Sequence, residues 1–465
     1  MAGRALTLIS AVVFVLAPGA AGAQDAVDRP PGPPPAVFTL AQAVEHALRH
    51  NPAVVAADAD IDVYEAKLLQ AVTAYVPRFK LKSLLTAMPA ARGDAFNGYV
   101  DTDEWGPFVR IELTGGMPIY TFGKLEALRR LANAGVDVSR GKRRVAVEEL
   151  TFLTRRAFWG WQYTRELRDI IAEGKTYLDK AKRHLEEQEA RDDPEYDQID
   201  MLKAKVYEGD IRARELELDR AAFMAHEGMR VILGLSQDAR FRIADEPLEP
   251  VAIEIQPVER YVDIADRMRP ELEAARAAVM AAEHNSDLKF AGFWPSLGIV
   301  GSYTFSYSGV ADDQRSPFSI DPYNGNGGGA ALGLEWELDI AQKIGEYNEA
   351  TAGWVKARNE VELARQKLLL DVKETWHDLK RHAELIDVNA RAMRAARGWL
   401  IAKSDLYDAG FATMQDVVDS LLEYYKRKMG HLEAIHNFNL AVAQLSRQVG
   451  VDVTTLAREE PSPAE

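Results

Sequence analysis

The 465-residue sequence contains no cysteine. This absence excludes disulfide bonds, thiol nucleophiles, cysteine-ligated zinc and a lipid anchor attached through cysteine. A concentrated basic stripe is also missing, and the formal net charge of −15 would repel a phosphate backbone, so no nucleic-acid binding is expected. The sequence has no HExxH, no G-x-S-x-G, no phosphate loop and no dinucleotide fingerprint. It therefore predicts neither an enzyme nor a cofactor.

Metal-ligating residues are equally sparse. His46 and His50 stand one helical turn apart and could hold an ion between them. Neither a cysteine nor a clear third ligand accompanies this pair, and a structural zinc site usually needs four ligands. No metal site is predicted.

Long uncharged apolar runs are missing beyond the N-terminus. There, Arg4 and the apolar stretch Ala5–Ala17 lead to the small residues Ala21–Ala23. This pattern predicts a signal peptide over residues 1–23, because the apolar run is too short to span a bilayer. A proline-rich linker over 24–37 follows. A mature protein of this composition could cross a membrane only as a closed β-barrel.

The folded part contains a tandem repeat. Three landmarks recur about 217 residues apart in the same order, which chance similarity would rarely produce. The pairs are Asn51–Pro52 with Arg269–Pro270, Trp159 with Trp376, and Leu233–Leu235 with Val449–Val451. We therefore divide the chain into a first repeat over 38–236, an inter-repeat linker over 237–257, a second repeat over 258–452 and a flexible tail over 453–465.

Period-two alternation predicts two strands in each repeat. In the second repeat, Tyr303 and Phe305 alternate with small polar residues such as Ser302. The predicted strands cover about 77–88, 105–118, 295–308 and 329–340. Glycine, aspartate and asparagine between them predict exposed loops over Pro89–Glu104 and Gly309–Gly328.

The rest of each repeat is predicted to be helical. No proline occurs between Pro118 and Pro194 or between Pro322 and Pro461, and apolar residues there recur every three or four positions. A helix over 344–407 would be about 95 Å long, which exceeds the width of a globular domain of this size.

The four predicted strands have the length and the two-faced pattern of transmembrane β-strands. Four strands cannot close a barrel, and unpaired edges are not tolerated in lipid, so several chains must share one ring. Eight, twelve or sixteen strands are possible, and twelve is the smallest number expected to leave a lumen.

Several motifs resemble the TolC-type outer-membrane efflux family (outer membrane factors). They are the opening Leu40, Ala43, Ala47, Leu48, Asn51 and Pro52, the strand-to-helix segment Tyr120–Lys124, and the hairpin signature Tyr407, Gly410, Thr413, Asp416 and Val417. The resemblance implies a homotrimer with a 12-stranded outer-membrane barrel, four strands per chain, continuous with a periplasmic α-helical barrel. It also implies an efflux or type I secretion channel that docks with a periplasmic adaptor and an inner-membrane pump.

The resemblance assigns roles to the helix-hairpin tips. Asp416, Asp419 and Asp200 would line the periplasmic aperture, where crowding would raise some pKa values and favour cations. The alternative is a solvated first helical turn, which favours carboxylates in any case. The predicted docking residues are Gly410, Phe411, Thr413, Pro194 and Tyr196. Arg191–Tyr196 departs from the family pattern, which has a glycine-containing turn there.

Aromatic residues near strand ends predict contact with lipid or with the membrane interface. They are Phe79, Trp105, Phe108, Trp294, Tyr303, Phe305, Tyr307 and Trp336. Packing at the junction between sheet and helices is the alternative role for those at the ends.

Two other kinds of protein compete with a channel. A periplasmic coiled-coil structural protein or adhesin would explain the helices but not the strands with apolar faces. A hydrolase of long-helix architecture would need an acid/base set, which we do not find.

Overall fold

The computed structural model describes residues 37–94, 96–192, 196–314, 318 and 320–456. The predicted signal peptide, nearly all of the proline-rich linker and Pro194 lie outside this range. Within it, eight α-helices and four β-strands follow one another along the chain. They are α1 Leu40–His50, α2 Pro52–Val72, β1 Arg78–Arg92, β2 Tyr99–Tyr120, α3 Lys124–Ala190, α4 Gln198–Ile232, α5 Val258–Met268, α6 Pro270–Ala291, β3 Ser296–Ser308, β4 Gly325–Glu335, α7 Ile340–Asp408 and α8 Met414–Val449.

The tandem repeat governs the order of elements. Each half contains a short helix, a second helix that begins with proline, two strands and two longer helices. The helices α3 and α7 have 67 and 69 residues, so each is on the order of 100 Å long. The fold is therefore an elongated helical bundle that carries a small sheet.

The glycines of the repeated Leu-Gly-Leu and Val-Gly-Val segments have the same structural task. Gly234 and Gly450 follow α4 and α8 with φ of +67° and +81°, in the left-handed region that favours glycine. A Cβ at Gly234 would lie 2.6 Å from the carbonyl oxygen of His50, and one at Gly450 would lie 2.8 Å from that of Met268. Each repeat thus folds its last helix back against the end of its first.

The strands form one antiparallel sheet in the order β1-β2-β3-β4. The first hairpin is longer than predicted, because β1 continues through a bulge after Pro89 to Arg92 and β2 already begins at Tyr99. Its outer end is held by Arg92, which donates to Glu104 at 2.6 Å and to Asp312 at 3.2 Å.

The predicted end of the fourth strand is wrong. The alternation predicts a strand over 329–340, whereas β4 covers Gly325–Glu335 and α7 begins at Ile340. The apolar alternation continues past Glu335, but β3 begins at Ser296, which pairs with Glu335. Later residues therefore have no position on β3 to pair with.

The inter-repeat segment 237–257 is packed into the fold rather than free. Its residues Phe241, Ile243 and Leu248 are buried in a cluster with α1, α3 and α4. Asn439 of α8, which is 0% exposed, holds the same segment because its side chain accepts from the amide of Val251 and donates to the carbonyl of Glu249, both at 2.9 Å.

The prediction of a flexible tail from residue 453 is also wrong at its start. Val453 is buried in a second cluster, with residues of α5, α7 and α8, and its amide donates to Ser446. Residues 457–465 lie outside the described range.

Among the described helices, none combines the length and the apolar character that a membrane span requires.

Candidate functional site

The two faces of the sheet differ sharply in chemistry. Residues directly opposite each other in an antiparallel sheet share a face, so the register assigns every strand residue to one side. One face carries Phe79, Leu81, Leu85, Val109, Ile111, Leu113, Leu297, Ile299, Tyr303, Phe305, Tyr307, Leu332 and Leu334. We call it the apolar face, and it carries no charged residue from β1 up to Pro89, from β2 between Gly106 and Gly116, or from β3 and β4.

The predicted membrane aromatics lie mainly on this apolar face. Phe79, Tyr303, Phe305 and Tyr307 are all on it and all exposed in the single chain. Trp105, opposite Pro89, is exposed at the outer end. An exposed apolar face of this extent indicates a surface for lipid or a partner.

Phe108 corrects the prediction. It pairs with Ser308 and Thr86 and therefore lies on the opposite, polar face, where it is buried against Tyr323. The sequence alternation already places Phe108 on the same face as Arg110 and opposite Val109. The prediction instead rested on its position near a strand end.

Other aromatics pack where the sheet meets the helices. Trp294 stacks on Phe122 with ring centroids 6.0 Å apart, and Tyr120 meets Phe122 edge-on at 4.7 Å. The indole of Trp336 donates to the carbonyl of Phe293 at 3.1 Å. Trp294 and Trp336 remain half exposed, so they combine junction packing with an outward surface, as amphipathic rings do at a membrane interface.

The tip between α7 and α8 is a tightly closed turn. Gly410 has φ of +80°, and the amides of Gly410 and Phe411 donate to the carbonyls of Tyr407 and Leu406 at 2.9 and 2.8 Å. This pattern is a Schellman motif, which explains the glycine. Phe411 points outward with 83% of its surface exposed. The closed turn therefore presents an aromatic side chain at its end.

Thr413 and Asp416 form a capping box at the start of α8. The amide of Asp416 donates to the hydroxyl of Thr413, and the amide of Thr413 donates to the carboxylate of Asp416 at 3.0 Å. Lys403 of α7 also donates to this carboxylate at 3.0 Å. Thr413 hydrogen bonds first and Lys403 next lower the pKa of Asp416 to about 2.

The lowered pKa of Asp416 is opposite to the rise that crowding at an aperture predicts. In the single chain Asp416 acts as a cap and as a tie between two helices, which supports the alternative of a helix-start carboxylate. Sequence reasoning missed Lys403, because its pairing with Asp416 depends on how the two antiparallel helices are aligned at the turn.

Asp419 is less constrained. It is exposed and accepts one hydrogen bond, from Gln415 at 2.7 Å, among the contacts that the structure describes. Asp200 lies in the first turn of α4, as Asp416 does in α8, and accepts from Lys203 at 3.0 Å. The two tips thus repeat a carboxylate in the first turn of the returning helix.

Tyr196 is not a freely exposed docking residue. It packs against the hydrophobic cluster of Leu185, Met201 and Ala204 below the first tip. Desolvation first, then the carboxylate of Glu189, raises the pKa of Tyr196. This packing joins the start of α4 to the last turns of α3.

The rings of His46 and His50 stack with centroids 4.2 Å apart, and a ring nitrogen of His50 lies 3.0 Å from the carbonyl oxygen of His46. Across the described part of the chain, no group of three or more His, Asp or Glu residues could hold a metal ion.

Residues 262–451, which span most of the second repeat, match the family of outer membrane efflux proteins. This segment of the chain is therefore similar to outer membrane efflux proteins. Among characterised relatives, outer membrane protein TolC of Vibrio cholerae is 22% identical over 260 residues, a match that spans 54% of this chain and only 56% of TolC. The matched family is described as outer membrane efflux proteins, and the matched relative as an outer membrane protein.

Solved structures of outer-membrane proteins share the fold. VceC of Vibrio cholerae, 17% identical, superposes with a TM-score of 0.70 over 89% of this chain and 96% of VceC. The outer membrane channel CmeC of Campylobacter jejuni, 12% identical, gives 0.74 over 89% of this chain and 86% of CmeC. In this chain the shared fold combines a four-stranded sheet with long helices in two repeats.

Proposed function

We propose that this protein is the outer-membrane channel subunit of a tripartite efflux or type I secretion system. Three copies would close a 12-stranded barrel, and their helices would continue it through the periplasm. A periplasmic adaptor and an inner-membrane pump would dock at the helix-hairpin tips. The observation that carries the proposal is the single sheet with one continuous apolar face and with β1 and β4 at its edges.

The edges require a partner in a membrane. Each edge strand presents a row of backbone amides and carbonyls, and β1 alone has 15 residues. Lipid cannot satisfy these groups, so an exposed edge is very costly there. Pairing β1 of one copy with β4 of the next removes every edge, and three copies with four strands each give the smallest ring with a lumen.

The second tip fits a docking role better than the first does. Phe411 is exposed at the end of a turn held by a Schellman motif and a capping box. A protruding aromatic on a rigid support is a common anchor in interfaces. A photo-crosslinking amino acid at Phe411 should capture a periplasmic adaptor in the native cell, whereas the same group at Asp419, inside the proposed aperture, should not.

The aperture role falls mainly to Asp419. Asp416 is already neutralised by Lys403 and engaged by Thr413, whereas Asp419 keeps an exposed carboxylate without an ion pair among the described contacts. Three copies of Asp419 would attract cations at the periplasmic entrance, whereas Asp200, like Asp416, is paired with a lysine, Lys203.

The assembly is tested with cysteine pairs, because the natural chain has no cysteine. One cysteine replaces Ser83 on β1, and a second replaces Asn326, Gly328 or Ala330 on the same face of β4. Oxidation in membranes should link copies into dimers and trimers for at least one pair, whereas single-cysteine controls at Gly328 should yield at most dimers. Monomers alone for all three pairs, together with a monomer by native mass spectrometry in detergent, would refute the trimer.

Conduction is tested separately. The purified protein in a planar bilayer should give discrete conductance steps. A protein that inserts as a trimer but conducts no ions, with or without added adaptor, would favour the structural alternative over a channel.

A further inference from the structure

Three basic residues of β1 lie on the polar face of the sheet. Arg78, Lys80 and Lys82 alternate with Phe79 and Leu81, so their side chains leave the strand on the same side. Successive members stand about 6.7 Å apart along the strand. All three are exposed in the chain. We refer to Arg78, Lys80 and Lys82 as the basic row.

The residues around the basic row are small. Across the polar face lie Thr114 and Gly116 of β2, Ser302 of β3 and Gly329 of β4. Together with Arg78 and Lys80 they line a concave space of about 760 Å³. A Cβ built at Gly329 would meet no atom within 4 Å. The basic side chains therefore have room to extend and to receive a ligand.

Compensating carboxylates on this face are few. Between Arg78 and Met88, and on the strand residues in register with them, the polar face has one more basic residue, Arg110, and one acidic residue, Glu112. Just beyond this stretch, Glu335 adds a second acidic residue. Glu112 is opposite Lys82, while Glu335 lies at the end of β4 nearest the helices. Four basic and two acidic groups leave an excess of about two positive charges per chain, in a protein whose net charge is −15.

We propose that, in the barrel that the proposed function requires, the basic row from three copies forms a positively charged ring that binds anions inside the lumen. The inference rests on that function, because only barrel closure turns the polar face inward. A lumen walled by protein and lipid focuses the field of such a ring on the solute passing through it. Lysine and arginine bind carboxylate and phosphate oxygens through charge-assisted hydrogen bonds. The ring therefore favours cargo that carries a carboxylate, sulfonate or phosphate group.

The test measures block of single channels by inorganic pyrophosphate, added to the compartment that faces the barrel. Wild-type conductance should fall as pyrophosphate is added. The double variant Lys80→Gln/Lys82→Gln should need about tenfold or more pyrophosphate for the same block, because removing charges from a confined site removes much of its attraction for anions. The matched control Lys80→Arg/Lys82→Arg keeps the charge and should be blocked like the wild type.

The outcomes separate the two proposals. Wild-type channels that conduct but resist pyrophosphate, or glutamine and arginine variants that are blocked equally, would overturn the anion ring and leave the channel intact. A wild-type protein that never conducts would overturn the proposed function, and the ring with it. Should the double glutamine variant fail to assemble, Lys80→Gln and Lys82→Gln are measured singly, and each should show a weakened block.

Discussion

Replacing Tyr303 with arginine tests which face of the sheet meets lipid. The apolar face of β3 extends from Leu297 to Tyr307, and Tyr303 lies close to the middle of this stretch. Ten residue steps of about 3.3 Å span roughly 33 Å along the strand. With a tilt of about 40°, they cover roughly 25 Å along the membrane normal, the height of the apolar band in such barrels.

The expected cost follows from this depth. In the proposed barrel Tyr303 would lie within about 5 Å of the midplane, where arginine on the lipid face costs about 2 to 4 kcal/mol. With three copies in a trimer, the total is about 6 to 12 kcal/mol if the contributions add. The ring of Tyr303 also covers Gly328, where a Cβ would come within 2.9 Å of it, and arginine would lose this packing.

The matched control is Ser302→Arg, one residue away on the polar face. It should be far milder, because its side chain enters the space beside Gly329 rather than lipid. Both variants are folded into liposomes, and the free energy of unfolding is measured by denaturant titration. Equal tolerance of arginine at the two positions would show that the faces are assigned wrongly.

Four further outcomes are expected. In a thermal unfolding assay, Gly234→Ala should destabilise the protein by at least about 1 to 2 kcal/mol, because it forces a Cβ into a left-handed backbone. The control Gly209→Ala lies inside α4, where a Cβ would meet no atom within 4 Å, and it should be neutral or stabilising. Asn439→Ala should cost about 1 to 3 kcal/mol for each backbone group that it leaves unpaired, and hydrogen exchange should locate the loss in 237–257. In single-channel recordings Asp419→Ala should weaken cation selectivity more than Asp416→Ala does, and the reverse order would reassign the aperture. The stabilisation from Asp416 should be complete above its unfolded pKa of 3.8 and should vanish as the pH falls through about 2, so acid should erase any difference in denaturation midpoint between the wild type and Asp416→Asn.

Much of the fold was predictable because it is periodic. Proline-free stretches with apolar residues every three or four positions predicted α3, α4, α7 and α8, and period-two alternation predicted all four strands. The ends of the first hairpin were missed, since the acidic segment Asp101–Glu104 looks like a loop. It belongs to β2 because pairing with β1 and the contacts of Arg92 with Glu104 and Asp312 hold it there.

The role of the inter-repeat segment could not be predicted from local pattern. Residues 237–257 have few helix or strand signals, so their sequence predicts a linker. Their burial depends on Asn439, about 190 residues away along the chain. The link between Lys403 and Asp416 was missed for a similar reason, because it exists only once α7 and α8 lie side by side.

Net charge is a poor guide to the chemistry inside a conduit. The 15 excess negative charges are a sum over the whole chain, whereas a solute in the barrel responds to the few side chains within about one Debye length. Alternation along each strand decides which side chains face the inside. Every charged residue of β1 up to Pro89 is basic and lies on the polar face. A shift of one residue in the register of β1 would place Arg78, Lys80 and Lys82 in lipid. In the proposed barrel, the membrane would therefore fix the register that makes the lumen positive. The same alternation would then determine both the lipid surface and the solutes that the pore attracts.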